Sequence, residues 1–243
     1  MPRMCRAELW RGLLPSCLQN NMETYPFHSS RGCLSYIVVE RVSREAALID
    51  PSEEIEDTAY LNMLAQNNLS LRYIIETHTH ADHVSSAMRL HAQTGAQIVR
   101  HALAPSPHKD VAVVGGEVLP LGSESVTIVA TPGHTNESIS VLIEGAVFTG
   151  DALLIGGTGR TDFQLGDSEA LYHSLHDVFA VLDDETIVYP AHDYEGRTHS
   201  TIGNERTHNA RLQMTHDEFV ATMDAHHPSL PELFEASIEK NSA

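Results

Sequence analysis

The amino-acid sequence predicts an α/β fold in four layers, an αββα sandwich of two β-sheets packed face to face with helices outside. Three observations lead there. Strand-like runs occur both as hairpin neighbours and in alternation with helical runs. Helical patterns are spread along the whole chain, and 243 residues, 42% of them hydrophobic, suffice for a sizeable core.

In chain order, Leu34 to Glu40 (LSYIVVE) and Ala46 to Asp50 (AALID) read as strands joined by a short polar connection suited to a hairpin. Tyr60, Leu61 and Leu64 then follow a helical period that stops at Asn67-Asn68. Leu71 to Glu76 (LRYIIE) is another strand, running directly into Thr77-His78-Thr79-His80-Ala81-Asp82-His83. Ser85 to Thr94 reads as an amphipathic helix ended by Gly95. Strands follow at Ser125 to Thr131, Ile139 to Glu144 and Ala146 to Thr149. Leu171, Leu175, Val178, Phe179 and Leu182 mark a helix, Thr186 to Tyr189 a strand, and the tail from Gly203 one or two helices. Residues 1–21 are expected as an N-terminal extension and 22–243 as one domain ending in short helices.

Composition narrows the function. The formal charge is −18, with 33 acidic residues against 15 basic ones. Nucleic-acid binding and phosphodiester cleavage reward a basic surface, so a small-molecule substrate is the better expectation. No run of about 18 apolar residues offers a membrane span. Cys5, Cys17 and Cys33 form no C-x-x-C pair and lie outside the histidine motifs, which suggests unremarkable reduced thiols in a reducing compartment. Arg3, Arg6 and Arg11 make the first residues a weak match to a mitochondrial presequence. A cytoplasmic location is expected, with the mitochondrial matrix as the alternative.

Histidine is the unusual residue, at 16 copies. His78, His80, Asp82 and His83 pack four ligand types into six residues, directly after a strand. His134 follows VTIVATPG, Asp151 follows AVFTG and His192 follows TIVYPA, so each cluster sits at a strand end. Loops at one edge of a rigid sheet can aim several side chains at one point. Imidazole with carboxylate suits zinc, iron or manganese. A lone His-x-His is more often a surface pair, but seven such residues at strand ends read as a metal centre. His28, His91, His101, His173 and His226 lack that context.

Thr77 to His83, Thr131-Pro132-Gly133-His134, Gly150-Asp151 and Pro190-Ala191-His192 together resemble the metallo-β-lactamase superfamily and imply its αββα fold. Ligand inventory alone fits a binuclear hydrolase, glyoxalase II-like, with two Zn(II) and a bridging Asp151. The stretches GDALLIGGTGRTDFQLGD (Gly150 to Asp167) and YPAHDYEGRTHSTIGNERTHNARL (Tyr189 to Leu212) resemble instead the persulfide dioxygenases. That resemblance implies one Fe(II) per subunit on His78, His134 and Asp151, with His80, Asp82, His83 and His192 as a polar shell orienting them. Two His and one carboxylate form the facial triad of non-haem Fe(II) oxygenases. The implied reaction takes glutathione persulfide, O₂ and water to glutathione and sulfite. Arg160 is the first choice for a substrate carboxylate, Arg197 and Arg211 are weaker ones, and Tyr194 and Asp193 are the catalytic candidates beside the iron. A homodimer is left open. The rival readings are the thioester hydrolase, for which the tail after Gly203 is short, and a non-catalytic metal-binding scaffold.

Overall fold

Residues 21–243 are described by the computed structural model of the chain; residues 1–20, with Cys5, Cys17 and nearly all of the expected extension, lie outside them. Six strands form one sheet in sequence order: β1 (Met22–His28), β2 (Leu34–Glu40), β3 (Glu45–Ile49), β4 (Ser70–Ile75), β5 (Gln97–His101) and β6 (Val111–Val113). A second sheet holds β7 (Val118–Leu121), β8 (Glu124–Ala130), β9 (Ile139–Ile143), β10 (Ala146–Gly150), β11 (Ile187–Pro190) and β12 (Ser200–Thr201). Helices α1 (Asp57–Gln66) and α2 (Ala87–Thr94) cross over between strands of the first sheet. The helix expected around Leu171 is α3 (Ser168–His173), continued by a π-helical turn, Ser174–Phe179. The tail folds into α4 (Ile202–His208), α5 (His216–Asp224) and α6 (Phe234–Ser242).

The period of two along each strand sorts the apolar side chains into layers. Leu34, Tyr36 and Val38 of β2 enter the core between the sheets and meet Ile128, Val141 and Phe148 there. Ile37 and Val39 point the other way and pack under Tyr60, Leu64 and Leu90 of α1 and α2. Beyond the second sheet, Val147 and Val188 meet Leu171, Leu175, Phe179 and Phe219. The result is the expected order of helix, sheet, sheet, helix. Strand β2 is covered on both faces, which is why LSYIVVE reads as a nearly continuous apolar run.

Strand direction decides where the polar clusters emerge. β3 pairs parallel with β4, so Asp50 and Thr77, just past their ends, leave the sheet at one edge. β10 pairs parallel with β11, which brings Asp151 and His192 out together. Strands β1, β5, β6, β7 and β12 were not among the sequence expectations. β1 and β7 carry Pro26 and Pro120 at positions that only an edge strand tolerates, and β6 and β12 have three and two residues.

Candidate metal centre

The His78–His83 turn is built from behind. Asp50, in a left-handed backbone conformation (φ 49°), accepts the Thr77 N–H at 2.8 Å and the Thr77 hydroxyl at 2.8 Å. With its proton given to Asp50, the Thr77 Oγ1 accepts from His78 Nδ1, 3.0 Å away. That leaves the His78 Nε2 lone pair free, 3.9 Å from Asp151 Oδ2. His134 is set in the same way: its Nδ1 donates to the Arg160 carbonyl at 2.8 Å, and its Nε2 lies 3.6 Å from Asp151 Oδ2. A hydrogen bond on one ring nitrogen fixes the tautomer and frees the other as a ligand.

Two glycines permit this convergence. A Cβ on Gly150 (φ +55°) would stand 2.6 Å from Thr77 Oγ1, so only glycine lets β10 deliver Asp151 this close. A Cβ on Gly159 would stand 2.3 Å from the Asp151 carbonyl and 2.8 Å from His134 Nδ1.

His78, His134 and Asp151 thus form one set, their ligand atoms all within 4.8 Å of one another. Burial, then the neighbouring His80, keeps His78 well below the usual histidine pKa and hence neutral. Burial raises the Asp151 pKa, but His192, His134 and His78 outweigh it, and Asp151 is a carboxylate. Two bare imidazole nitrogens facing a carboxylate repel unless a cation sits among them, so the donor set fits a divalent metal.

His192 is held on both sides. Its Nδ1 donates to Asp151 Oδ1 at 2.6 Å and its Nε2 to Asp82 Oδ2 at 2.8 Å. Burial opposes its charge, but Asp151 and Asp82 outweigh burial and keep its pKa well above the usual histidine value. Asp82 Oδ2 also accepts from His83 Nδ1 at 3.0 Å. Burial lowers the His83 pKa, but Asp82 and then Cys33 outweigh it and raise it to about 10. His80 faces Asp50, with Nε2 3.2 Å from Asp50 Oδ1, and its Nδ1 is buried without a partner among the described residues. Burial, then His83, lowers its pKa to about 3.

Beside this set lies a cavity of about 510 Å³, within the roughly 300–1,000 Å³ of small-molecule sites. His134, Asp151, His192, Arg160 and Tyr194 are among the residues that line it; Asp193, Arg197 and Arg211 are not. Tyr194 is 78% exposed, its ring stacked on His192 at 6.2 Å. The Asp193 carboxylate accepts the N–H groups of Glu195 and Arg197 and the Arg197 Nε, at 2.9, 2.7 and 2.9 Å. The Arg211 Nη1 is buried without a partner among the described residues. Arg160 donates to both oxygens of Asp162 at 2.5 and 2.7 Å, to Ser229 O at 2.8 Å and to Pro228 O at 2.7 Å.

Several site residues had no sequence signal. Cys33 corrects the reading of the cysteines as unremarkable: through an antiparallel bridge to His192 its Sγ comes to 3.5 Å from both Asp82 Oδ2 and His83 Nδ1. With Asp82, His83 and His192 it forms a second set of ligand-type atoms. The backbone of Thr79, between the two turn histidines, is clamped by Glu137, which accepts its N–H at 2.7 Å, and by Gln164, which donates to its carbonyl at 2.7 Å. From the end of the chain, the Asn241 amide donates to His80 O and His83 O at 2.8 and 2.9 Å and accepts the Ser85 N–H at 2.9 Å.

Comparison with known proteins supplies kinship. Residues 30–192 match the metallo-beta-lactamase superfamily. The mitochondrial persulfide dioxygenase ETHE1 of Bos taurus is 38% identical over 212 residues, 85% of this chain and 82% of that protein. Its Homo sapiens counterpart is 39% identical over 192 residues, 78% of this chain and 75% of that protein. Among solved structures, ETHE1 from Myxococcus xanthus superimposes with a TM-score of 0.87 at 38% identity, over 91% of this chain and 98% of that one.

Proposed function

The chain belongs to the metallo-β-lactamase superfamily, and within it we infer an oxidoreductase, a persulfide dioxygenase that converts glutathione persulfide, O₂ and water to glutathione and sulfite. Kinship across most of the chain supports the persulfide chemistry. The observation that carries a one-metal reading is the position of His192: carboxylates hold both its nitrogens, and it occupies the Asp151 oxygen that a bridging carboxylate would need. We assign His78, His134 and Asp151 as the metal ligands and Fe(II) as the metal.

Bound there, Fe(II) supplies the redox chemistry that joins O₂ to sulfur. The protein's part is orientation and proton handling. Asp50 acts through Thr77 to aim His78, and the Arg160 carbonyl aims His134. The His192 N–H keeps Asp151 anionic with Oδ2 turned to the metal position. Conversion of the neutral persulfide to sulfite and thiol releases two protons, and the chain Asp151–His192–Asp82–His83, with contacts of 2.6, 2.8 and 3.0 Å, leads them away from Asp151. Tyr194 offers a hydroxyl at the cavity wall.

The test is oxygen uptake by Fe(II)-loaded protein given glutathione persulfide, with S-lactoylglutathione in parallel. Uptake with stoichiometric sulfite, one iron per chain and no thioester cleavage is expected. Thioester hydrolysis by a two-zinc form without oxygen uptake would replace this reading with the hydrolase.

A further inference from the structure

Part of the cavity lining is a short strap, residues 226–232, between α5 and α6, of which Pro228, Ser229, Leu230, Pro231 and Glu232 line the cavity. Pro228 and Pro231 have no N–H to offer, and the strap belongs to neither sheet, so its carbonyls take donors from elsewhere. One guanidinium provides them: Arg160 Nη1 donates to Ser229 O at 2.8 Å and Nη2 to Pro228 O at 2.7 Å. The same group is fixed by both oxygens of Asp162 and lies over the Phe163 ring, 4.5 Å from its centroid. Asp162 also faces His227 of the strap at 3.3 Å, and Phe163 packs edge-on against Phe234, where α6 begins.

We propose that Arg160 is a positioning residue that latches this strap against the cavity, setting persulfide affinity through the wall and not by gripping the substrate's carboxylate. The proposal rests on the persulfide reading of the site. Arginine has five N–H donors, and four are engaged here. A two-pronged grip on a carboxylate needs two parallel N–H groups; the Nε/Nη2 pair already holds Asp162, and Nη1 and Nη2 already hold Ser229 O and Pro228 O. Side-chain replacement leaves the Arg160 carbonyl on His134 in place, so the latch is separable from the metal ligands.

Iron-loaded Arg160→Ala, Arg160→Lys and Asp162→Asn proteins test this. In Arg160→Ala the KM for glutathione persulfide should rise about tenfold with kcat within about twofold, and the KM for the persulfide of an uncharged thiol should rise by the same factor. Asp162→Asn should move KM the same way, with the double variant no worse than Arg160→Ala, because both cut one latch. Hydrogen–deuterium exchange of the peptide spanning 226–234 should speed up about tenfold in Arg160→Ala, with Arg160→Lys between it and wild type. A KM rise confined to the carboxylate-bearing persulfide, or unchanged exchange of the strap, would overturn the latch. If wild type turns over neither persulfide, the functional reading fails, while the exchange experiment still decides the latch.

Discussion

His192 shows at the residue scale how one side chain decides between two chemistries. With both nitrogens on carboxylates it is an outer partner in the proposed one-metal reading, whereas as a ligand it would have to release Asp82 or Asp151. The expected contrast follows. His134→Ala removes one of the three proposed ligands and should leave negligible iron after desalting. His192→Asn should keep an iron site but weaken metal affinity about 10–100-fold, as loss of a ligand-orienting partner does. Metal titration of both variants checks this, and full loss of iron in His192→Asn would make it a ligand. The ligand-type residues were legible because they crowd into six residues and recur at strand ends. Cys33 and Asp50 were not: one reaches the site by a β-bridge to His192 and the other by a left-handed turn after β3.

At the scale of elements, α6 is the instructive case. Sequence patterns mark the tail only as one or two helices, yet Asn241 of α6 holds two carbonyls and an N–H of the turn that carries His80 and His83. Asn241 is buried, as are His80 and His83, so those two carbonyls have no water to turn to. Asn241→Ala orphans these groups at about 1–3 kcal/mol each before relaxation. It should lower the melting temperature by roughly 5–10 °C and speed iron loss, read by calorimetry and by chelator competition. An unchanged iron off-rate would confine α6 to stability. The short strands β5, β6 and β7 escaped sequence reading for a related reason: three to five residues have too little periodicity of their own and exist through pairing.

For the whole molecule, electrostatics and stability meet in Asp162, which ties the strap to the body of the second half. The Arg160 guanidinium lowers its pKa from 3.8 to about 2. A carboxyl more acidic folded than unfolded contributes stability above its unfolded pKa and loses it as pH falls through the folded one. The melting-temperature difference between wild type and Asp162→Asn should therefore be constant from pH 7 to about 4, at roughly 2–4 °C, and vanish towards pH 2. A difference that persisted undiminished at pH 2 would mean that the ionised carboxylate is not what stabilises. The net charge of −18 makes the Arg160–Asp162 pair more telling, since cations at the cavity are few and Arg31 there is paired with Glu54 at 3.2 Å.

Sequence by itself determined the layers and the ligand inventory. Alternation along strands such as LSYIVVE, helical periods between them and polar clusters at strand ends are local patterns, and hydrophobic burial acts on them the same way in any arrangement. Only the tertiary structure decided which atoms of those residues are free. Six of the seven ligand-type residues fall into a His78–His134–Asp151 set and a hydrogen-bonded Asp82–His83–His192 chain while His80 turns to Asp50, and this geometry depends on which nitrogen of each ring finds a partner. The engagement of Arg160 depends on a strap some 70 positions away along the chain. Hydrogen bonds are short-ranged and directional, so their partners are set by how distant segments pack, which no local pattern encodes.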